Sequence, residues 1–138
     1  KQLTKNEANP PRLYINENSI VESGGATEAN QTLYESQIRE LISKGAPIEG
    51  IGIQGHFGER VTGPETLWKI LDRFAKFGVP IQITEFDVNT FDEEGHGRYF
   101  EDFYIAMFAH PSLTGVTMWG FWEKSMWMPN GALFGKDW

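Results

Sequence analysis

The chain has 138 residues, of which 40% are hydrophobic and 22% are charged, the composition of one globular domain rather than of a disordered segment. Its formal net charge of −7 argues against nucleic acid or an anionic membrane surface as a partner, because both attract clustered lysine and arginine. It has no cysteine and no run of about 18 apolar residues, which excludes disulfides, a cysteine nucleophile and a membrane-spanning helix.

Short apolar runs alternate with longer segments of helical periodicity along the chain. This is the pattern of consecutive βα units that feed a parallel sheet. The β-branched and apolar content of the runs is typical of strands covered on both faces. Four strands are predicted, near Arg12–Asn16, Gly50–Gln54, Val79–Thr84 and Gly115–Trp119.

Three helices are predicted between the strands, each from residues spaced three and four apart. The first covers Ala29 to Lys44 and ends at Gly45, with an apolar stripe of Leu33, Ile38, Leu41 and Ile42. The second begins at Pro64 and stops at Gly78, with a stripe of Leu67, Ile70, Leu71, Phe74 and Phe77. The third runs from Arg98 to Ala109 and is expected to bury Phe103, Met107 and Phe108.

No linker or low-complexity segment divides the chain, so residues 1–138 are predicted to form a single domain. Four parallel strands could make a complete open α/β domain. An open sheet, however, leaves two edges and usually shows a switch in strand order. The regular βα repeat favours four consecutive units of an eight-unit barrel instead.

Functional groups in barrels and open α/β sheets cluster at the carboxyl ends of the strands. The polar and aromatic residues there are Asn16, Glu17, Asn18, Gln54, His56, Glu85, Asp87, Trp119, Trp122, Glu123 and Trp127. Amides and carboxylates bond sugar hydroxyls, and indole rings stack on the apolar faces of sugar rings. The set therefore favours a carbohydrate ligand, and the phosphate-binding motif GxxxxGK[ST] is absent.

Glu85 follows a strand that is expected to be buried, so its carboxylate needs hydrogen-bond partners. His56 from the neighbouring strand and Asp87 could supply them, giving a Glu–His–Asp chain that orients Glu85. His56 could instead be a core histidine without function, and Glu17 a solvated loop residue.

Metal binding is not predicted. His56, Glu85 and Asp87 match no zinc spacing, and the chain has no HExxH motif. His96, in a predicted loop, and His110, at a predicted helix end, are expected on the surface.

Four segments together resemble glycoside hydrolase family 10, the endo-β-1,4-xylanases. "LYINEN" (13–18), "GIGIQGH" (50–56) and "ITEFDV" (83–88) resemble the fifth, sixth and seventh strand motifs of that family, and "WGFWEKSMW" (119–127) with "PNGALF" (129–134) resembles the eighth-strand loop. The resemblance covers nearly the whole chain. It implies an α/β fold of the (β/α)8 TIM-barrel family, here an incomplete barrel of about the last four βα units, strands 5–8.

The resemblance also implies hydrolysis of xylan with retention of configuration by two glutamates, without a metal or cofactor. By position, Glu85 would be the nucleophile, supported by His56 and Asp87. The substrate-binding residues would be Gln54, Trp119, Trp127, Asn16, Glu17 and Asn18. The commoner family pattern is not kept at Asn18, Ser19, Trp122 and Glu123.

Glu17 imitates the acid/base of this family, but the strand count places it elsewhere. The family's acid/base ends the fourth strand, three units before the nucleophile, whereas Glu17 lies two units before Glu85. The acid/base is therefore expected before residue 1, in an N-terminal half-barrel that would be a partner of this one. The isolated chain would then be weakly active or inactive.

Three other functions remain open. The chain could be a non-catalytic carbohydrate-binding half-barrel, a half-barrel that self-associates through exposed strand edges, or a related barrel glycosidase acting on β-glucan. Xylan or xylo-oligosaccharide is the expected substrate. The resemblance also implies a secreted or cell-surface protein, although the first residues have no signal-peptide core.

Overall fold

The computed structural model describes residues 8–22 and 27–137, so residues 1–7, 23–26 and 138 of the predicted domain lie outside the described part. In chain order the elements are β1 (Tyr14–Glu17), α1 (Glu28–Ser43), β2 (Gly50–Ile53), β3 (His56–Phe57), α2 (Pro64–Ala75), β4 (Ile81–Val88), α3 (Glu93–Ala109), β5 (Leu113–Met118) and a 3₁₀ helix (Glu123–Ser125). None of the helices in this part of the chain is long and apolar enough to cross a membrane.

All strands pair in parallel. β1 pairs with β2, β2 with β4, and β4 with β5, so the four principal strands lie side by side in sequence order. β3 continues the line of β2 and pairs with the end of β4, where His56 lies opposite Asp87. An order without reversal is that of consecutive barrel strands rather than of an open doubly wound sheet.

The two faces of the sheet differ in chemistry. One face carries Ile51, Ile53, Ile81 and Ile83, which are fully buried in the core that the helices share. The other face is crossed by a row of small and amide residues at paired positions, which are Asn16, Gly52, Gln82 and Gly115. The apolar face therefore holds the sheet to its helices, and the polar face is left for the site.

The four predicted strands are observed with shifted bounds, and the departures that matter for the site are at β4 and β3. β4 extends to Val88, so Glu85 and Asp87 belong to the strand rather than following it. β3 was not predicted, because Gly55 interrupts the strand before it with a φ of 90°, in the left-handed region that favours glycine. The interruption bends the backbone and brings His56 to the level of Asp87.

The helix predictions are confirmed for α2 and partly wrong for α1. α2 buries Leu67, Ile70, Leu71 and Phe74 of its predicted stripe, whereas Phe77 lies beyond the end of the helix and is half-buried. α1 buries Tyr34 and Ile38, whereas Leu33 is 60% exposed and Leu41 and Ile42 are also exposed. The inward face of α1 is set by Tyr34, whose hydroxyl donates to the carbonyls of Ile15 and Gly52 at 3.0 and 2.9 Å.

α3 begins earlier than predicted, at Glu93. The Asp92 side chain caps it by accepting a hydrogen bond of 3.0 Å from the backbone N–H of Gly95. Gly95 and Gly97 lie in its first turns and conceal this start, because glycine disfavours a helix interior. The predicted burial of Phe108 is wrong, since its side chain is 77% exposed and the helix packs through Tyr99, Phe100, Phe103, Ala106 and Met107.

The two histidines expected on the surface are placed differently. His110 is buried, with its ring centroid 4.9 Å from that of Trp68 and its Nε2 3.3 Å from Asp72 Oδ1. His96 lies within α3 rather than in a loop and is half-buried. Burial lowers the pKa of His96, against the opposing effect of its bond to the Val88 backbone.

Replacing Tyr34 tests how α1 is held to the sheet. Tyr34→Phe removes the one proton that the carbonyls of Ile15 and Gly52 share, so the free energy of unfolding should fall by about 1–2 kcal/mol in a urea titration. Tyr104→Phe is the matched control, because Tyr104 is half-buried and its hydroxyl bonds no other described residue. Equal losses in the two variants would contradict the assigned role of the Tyr34 hydroxyl.

Candidate active site

The Glu85 carboxylate has both of its oxygens bonded to neighbouring side chains. Its Oε2 lies 3.1 Å from Nε2 of His56, and its Oε1 accepts a hydrogen bond of 3.4 Å from Nδ2 of Asn16. The backbone N–H of Glu85 donates to the carbonyl of Gln54 at 2.9 Å. The carboxylate therefore has a fixed orientation although it is only partly buried.

His56 lies between two carboxylates. Its Nε2 faces Glu85 and its Nδ1 lies 2.9 Å from Oδ1 of Asp87. This contact follows from the sheet register, which pairs His56 with Asp87. Each nitrogen of the imidazole therefore faces one carboxylate oxygen, and the ring is held from both sides.

Asp87 joins this chain of contacts to the wall of the cleft. Its side chain is 1% exposed, and its Oδ2 accepts a hydrogen bond of 2.6 Å from the indole N–H of Trp127. The Trp127 ring meets the His56 ring edge-on, with 4.9 Å between ring centroids. The Trp119 ring also meets it edge-on, with 6.1 Å between centroids. One buried carboxylate thus fixes both an imidazole and an indole.

Asn16 is oriented by its own neighbour. The Thr84 hydroxyl donates to Asn16 Oδ1 at 2.9 Å, which leaves the amide nitrogen to face Glu85. Gly52 makes this approach possible, because a Cβ there would lie 2.5 Å from Asn16 Oδ1. No pattern in the sequence marks Thr84 as part of the site, since it is the last residue of a predicted strand.

A cleft lies at the carboxyl ends of the strands, and Glu85 and His56 are part of its lining. The cleft has a volume of about 480 Å³, and its lining residues are Asn18, Ser19, Glu22, Gln54, His56, Glu85, Trp119 and Trp127. The two indoles are half exposed, at 50% and 56%, so each offers a flat apolar surface beside polar groups. A chain of sugar rings, with apolar faces and hydroxyl edges, is complementary to such a cleft.

The structure separates the two glutamates whose local sequences look alike. Glu17 Oε1 accepts a hydrogen bond of 2.9 Å from the backbone N–H of Asn18, and both residues line an adjoining cavity beside Tyr34. Burial, and then the charge of Glu17, raises the pKa of Tyr34 above its usual range, so its hydroxyl remains a donor.

Two further predicted residues lie outside the cleft lining. Trp122 has a buried indole N–H without a partner among the described residues, and its ring lies 5.2 Å from Nζ of Lys124. Glu123 accepts a hydrogen bond from the backbone N–H of Lys136 at 3.1 Å. Glu22, which the sequence reasoning did not single out, does line the cleft.

Exchanging Asp87 tests whether one carboxylate holds both rings. Asp87→Asn leaves either the His56 ring or the Trp127 indole without an acceptor, so unfolding should become easier by about 1–3 kcal/mol and the Trp127 indole N–H resonance should shift. Asp72→Asn is the control, because its carboxylate also faces a histidine but is largely exposed, and it should change stability by less than about 0.5 kcal/mol. An unmoved Trp127 resonance would refute the bridge.

Comparison with known proteins agrees with this geometry. The family model described as "Glycosyl hydrolase family 10" matches residues 2–137. Endo-1,4-beta-xylanase 2 of Arabidopsis thaliana is 36% identical over 137 residues, which are 97% of this chain and 12% of that protein. Anti-sigma-I factor RsgI6 of Acetivibrio thermocellus is 40% identical over 97 residues, which are 70% of this chain and 13% of that protein.

Solved structures agree with the fold. Xylanase 10B from Thermotoga petrophila, in complex with xylobiose, superposes with a TM-score of 0.77 and 29% identity over 93% of this chain and 42% of that chain. The predicted incomplete (β/α)8 barrel is thereby confirmed. The chain spans less than half the length of each of these proteins.

Proposed function

The chain belongs to glycosyl hydrolase family 10, and on that premise we propose that it carries the nucleophile of a retaining endo-1,4-β-xylanase. The observation that supports this most directly is the Glu85 carboxylate, held on both oxygens at the floor of a cleft lined by two half-exposed indoles. His56 and Asp87 would keep it oriented, and Gln54 would lie beside it.

The proposed chemistry uses Glu85 in a double displacement. Its carboxylate oxygen attacks the anomeric carbon and forms a glycosyl ester, while the bond to the leaving sugar breaks and that sugar's oxygen takes a proton from a general acid. Water then attacks the anomeric carbon and gives a proton to the deprotonated general acid, which releases Glu85, and this second inversion restores the original configuration. The general acid must stand about 5–5.5 Å from the nucleophile.

We propose that the general acid comes from outside the described residues. Glu17 accepts a hydrogen bond from Asn18 and lines the adjoining cavity beside Tyr34. Glu22 lines the cleft, but both of its oxygens accept hydrogen bonds from backbone N–H groups, which is the role of an acceptor rather than of a proton donor. An N-terminal half-barrel with a carboxylate on its fourth strand would supply the missing group and would cover the outer edge of β1.

The substrate proposed is a chain of β-1,4-linked xylose. The solved relative from Thermotoga petrophila is described as a complex with xylobiose, which supports a xylo-oligosaccharide in the equivalent cleft. Trp119 and Trp127 would flank its rings, with Asn16 and Asn18 toward the hydroxyl edges and Glu17 in the adjoining cavity. Secretion or display at the cell surface stays a prediction from the family resemblance.

A second candidate is a protein that binds xylan without cleaving it. One comparison favours it, because the relative that is 40% identical is named an anti-sigma factor rather than a xylanase. In such a protein Glu85 would only accept hydrogen bonds from sugar hydroxyls. A third candidate is a pair of copies that join through the outer edges of β1 and β5, each of which pairs with only one strand among the described residues.

Trapping of the glycosyl ester distinguishes the first two candidates. A 2-deoxy-2-fluoro-β-xylobioside with a dinitrophenyl leaving group needs little help from a general acid, so the 138-residue chain should take up one 2-fluoroxylobiosyl group. Mass spectrometry of peptides should place it on Glu85, and Glu85→Gln should take up none.

Two outcomes would contradict the proposal. One is a label on any other carboxylate. The other is an unlabelled chain whose circular dichroism shows it folded and which still binds xylotriose, as a non-catalytic binding protein would.

A further inference from the structure

Glu22 is a buried carboxylate that the chemistry proposed above does not use. It follows β1 and is 6% exposed. Its Oε2 accepts hydrogen bonds from the backbone N–H groups of Ile20 and Val21, at 2.8 and 3.0 Å. Its Oε1 accepts from those of Gly55 and His56, at 2.8 and 3.2 Å. One side chain therefore joins its own loop to the bend between β2 and β3.

The bend that Glu22 holds is the one that places the imidazole. Gly55 has a φ of 90°, and its carbonyl accepts from the backbone N–H of Asp87 at 3.2 Å, so the bend is fixed to β4 on one side. Its N–H group and that of His56 are bonded to Glu22 on the other side. The position of the His56 ring relative to Glu85 depends on both sets of bonds.

The loop that carries Glu22 is itself anchored to the rest of the fold. The Thr62 hydroxyl donates to the carbonyl of Val21, and the Tyr99 hydroxyl donates to the carbonyl of Thr62 at 2.9 Å. Both groups are buried. The position of the Glu22 carboxylate is therefore set by bonds to buried residues of the core.

We propose that Glu22 is a positioning residue, whose carboxylate holds the Gly55–His56 bend so that the His56 imidazole bonds Glu85 in its reactive orientation. The expected effect on the reactivity of Glu85 rests on the proposed function. The hydrogen bonds between Glu22 and the bend do not depend on it. A buried charge is tolerated only when it is fully hydrogen-bonded, and half of the bonds that satisfy this one come from the bend.

Glu22→Gln tests this role. It keeps the shape of the side chain but turns an NH₂ group toward one of the two pairs of N–H donors, so two of the four bonds are lost. The ¹⁵N resonances of the His56 ring should shift, and labelling of Glu85 by the fluoroxylobioside should slow by roughly 10–100-fold. Glu59→Gln is the control, because Glu59 also ties a loop, through Thr90 and the N–H of Phe91, but lies outside the cleft lining.

A folded Glu22→Gln chain with unchanged His56 resonances and an unchanged labelling rate would overturn the proposal. Should it not fold, the same readouts are taken on Glu22→Asp, which is one methylene shorter and cannot keep both pairs of bonds at their distances. Unchanged His56 resonances there would overturn it equally.

The two hypotheses fail separately in this experiment. If the original chain takes no label on Glu85 but its His56 resonances shift in Glu22→Gln, the positioning role stands and the nucleophile assignment falls. If Glu85 is labelled equally fast in both chains, the nucleophile stands and the positioning role falls.

Discussion

The buried carboxylate of Asp87 is the group on which the geometry of the cleft depends. It accepts from the Trp127 indole and faces Nδ1 of His56, and through His56 it reaches Glu85. A carboxylate at this depth is costly unless its oxygens are bonded, so the two rings stabilise the charge and the charge fixes the two rings. The orientation of the Glu85 carboxylate and the shape of the cleft wall are therefore set together.

This arrangement is produced by backbone features that are distant in sequence. The register of β3 against β4 sets His56 opposite Asp87. The left-handed backbone of Gly55 separates β3 from β2. Gly52 leaves the space in which Asn16 and Thr84 meet above the sheet. The site therefore depends on two glycines. Gly52 leaves room for the Asn16 side chain, and Gly55 allows the bend that places His56.

Much of this could be predicted from local patterns. Each predicted strand overlaps an observed one, four of the five residues of the α2 stripe are buried, and the Glu85, His56 and Asp87 side chains meet in the predicted order. These features depend on periodicity and on the rule that parallel strands present their carboxyl ends at one edge. Both operate over short stretches of sequence.

Other features could not be read in this way, for identifiable reasons. Two glycines hide the start of α3, and the side on which a helix packs depends on partners elsewhere, which is why Phe108 and Leu33 are exposed and His110 is buried. Glu22 bonds backbone groups more than thirty residues away, and no local pattern marks such a contact. The short β3 is visible only once β4 stands beside it.

A crystal structure of the chain with bound xylobiose is the most direct test of the central claim, that Glu85 is the nucleophile held by this network. The account predicts a sugar ring between Trp119 and Trp127, with its anomeric carbon about 3–3.5 Å from a carboxylate oxygen of Glu85. Xylobiose bound elsewhere, or with its anomeric carbon turned toward Glu17, would contradict it.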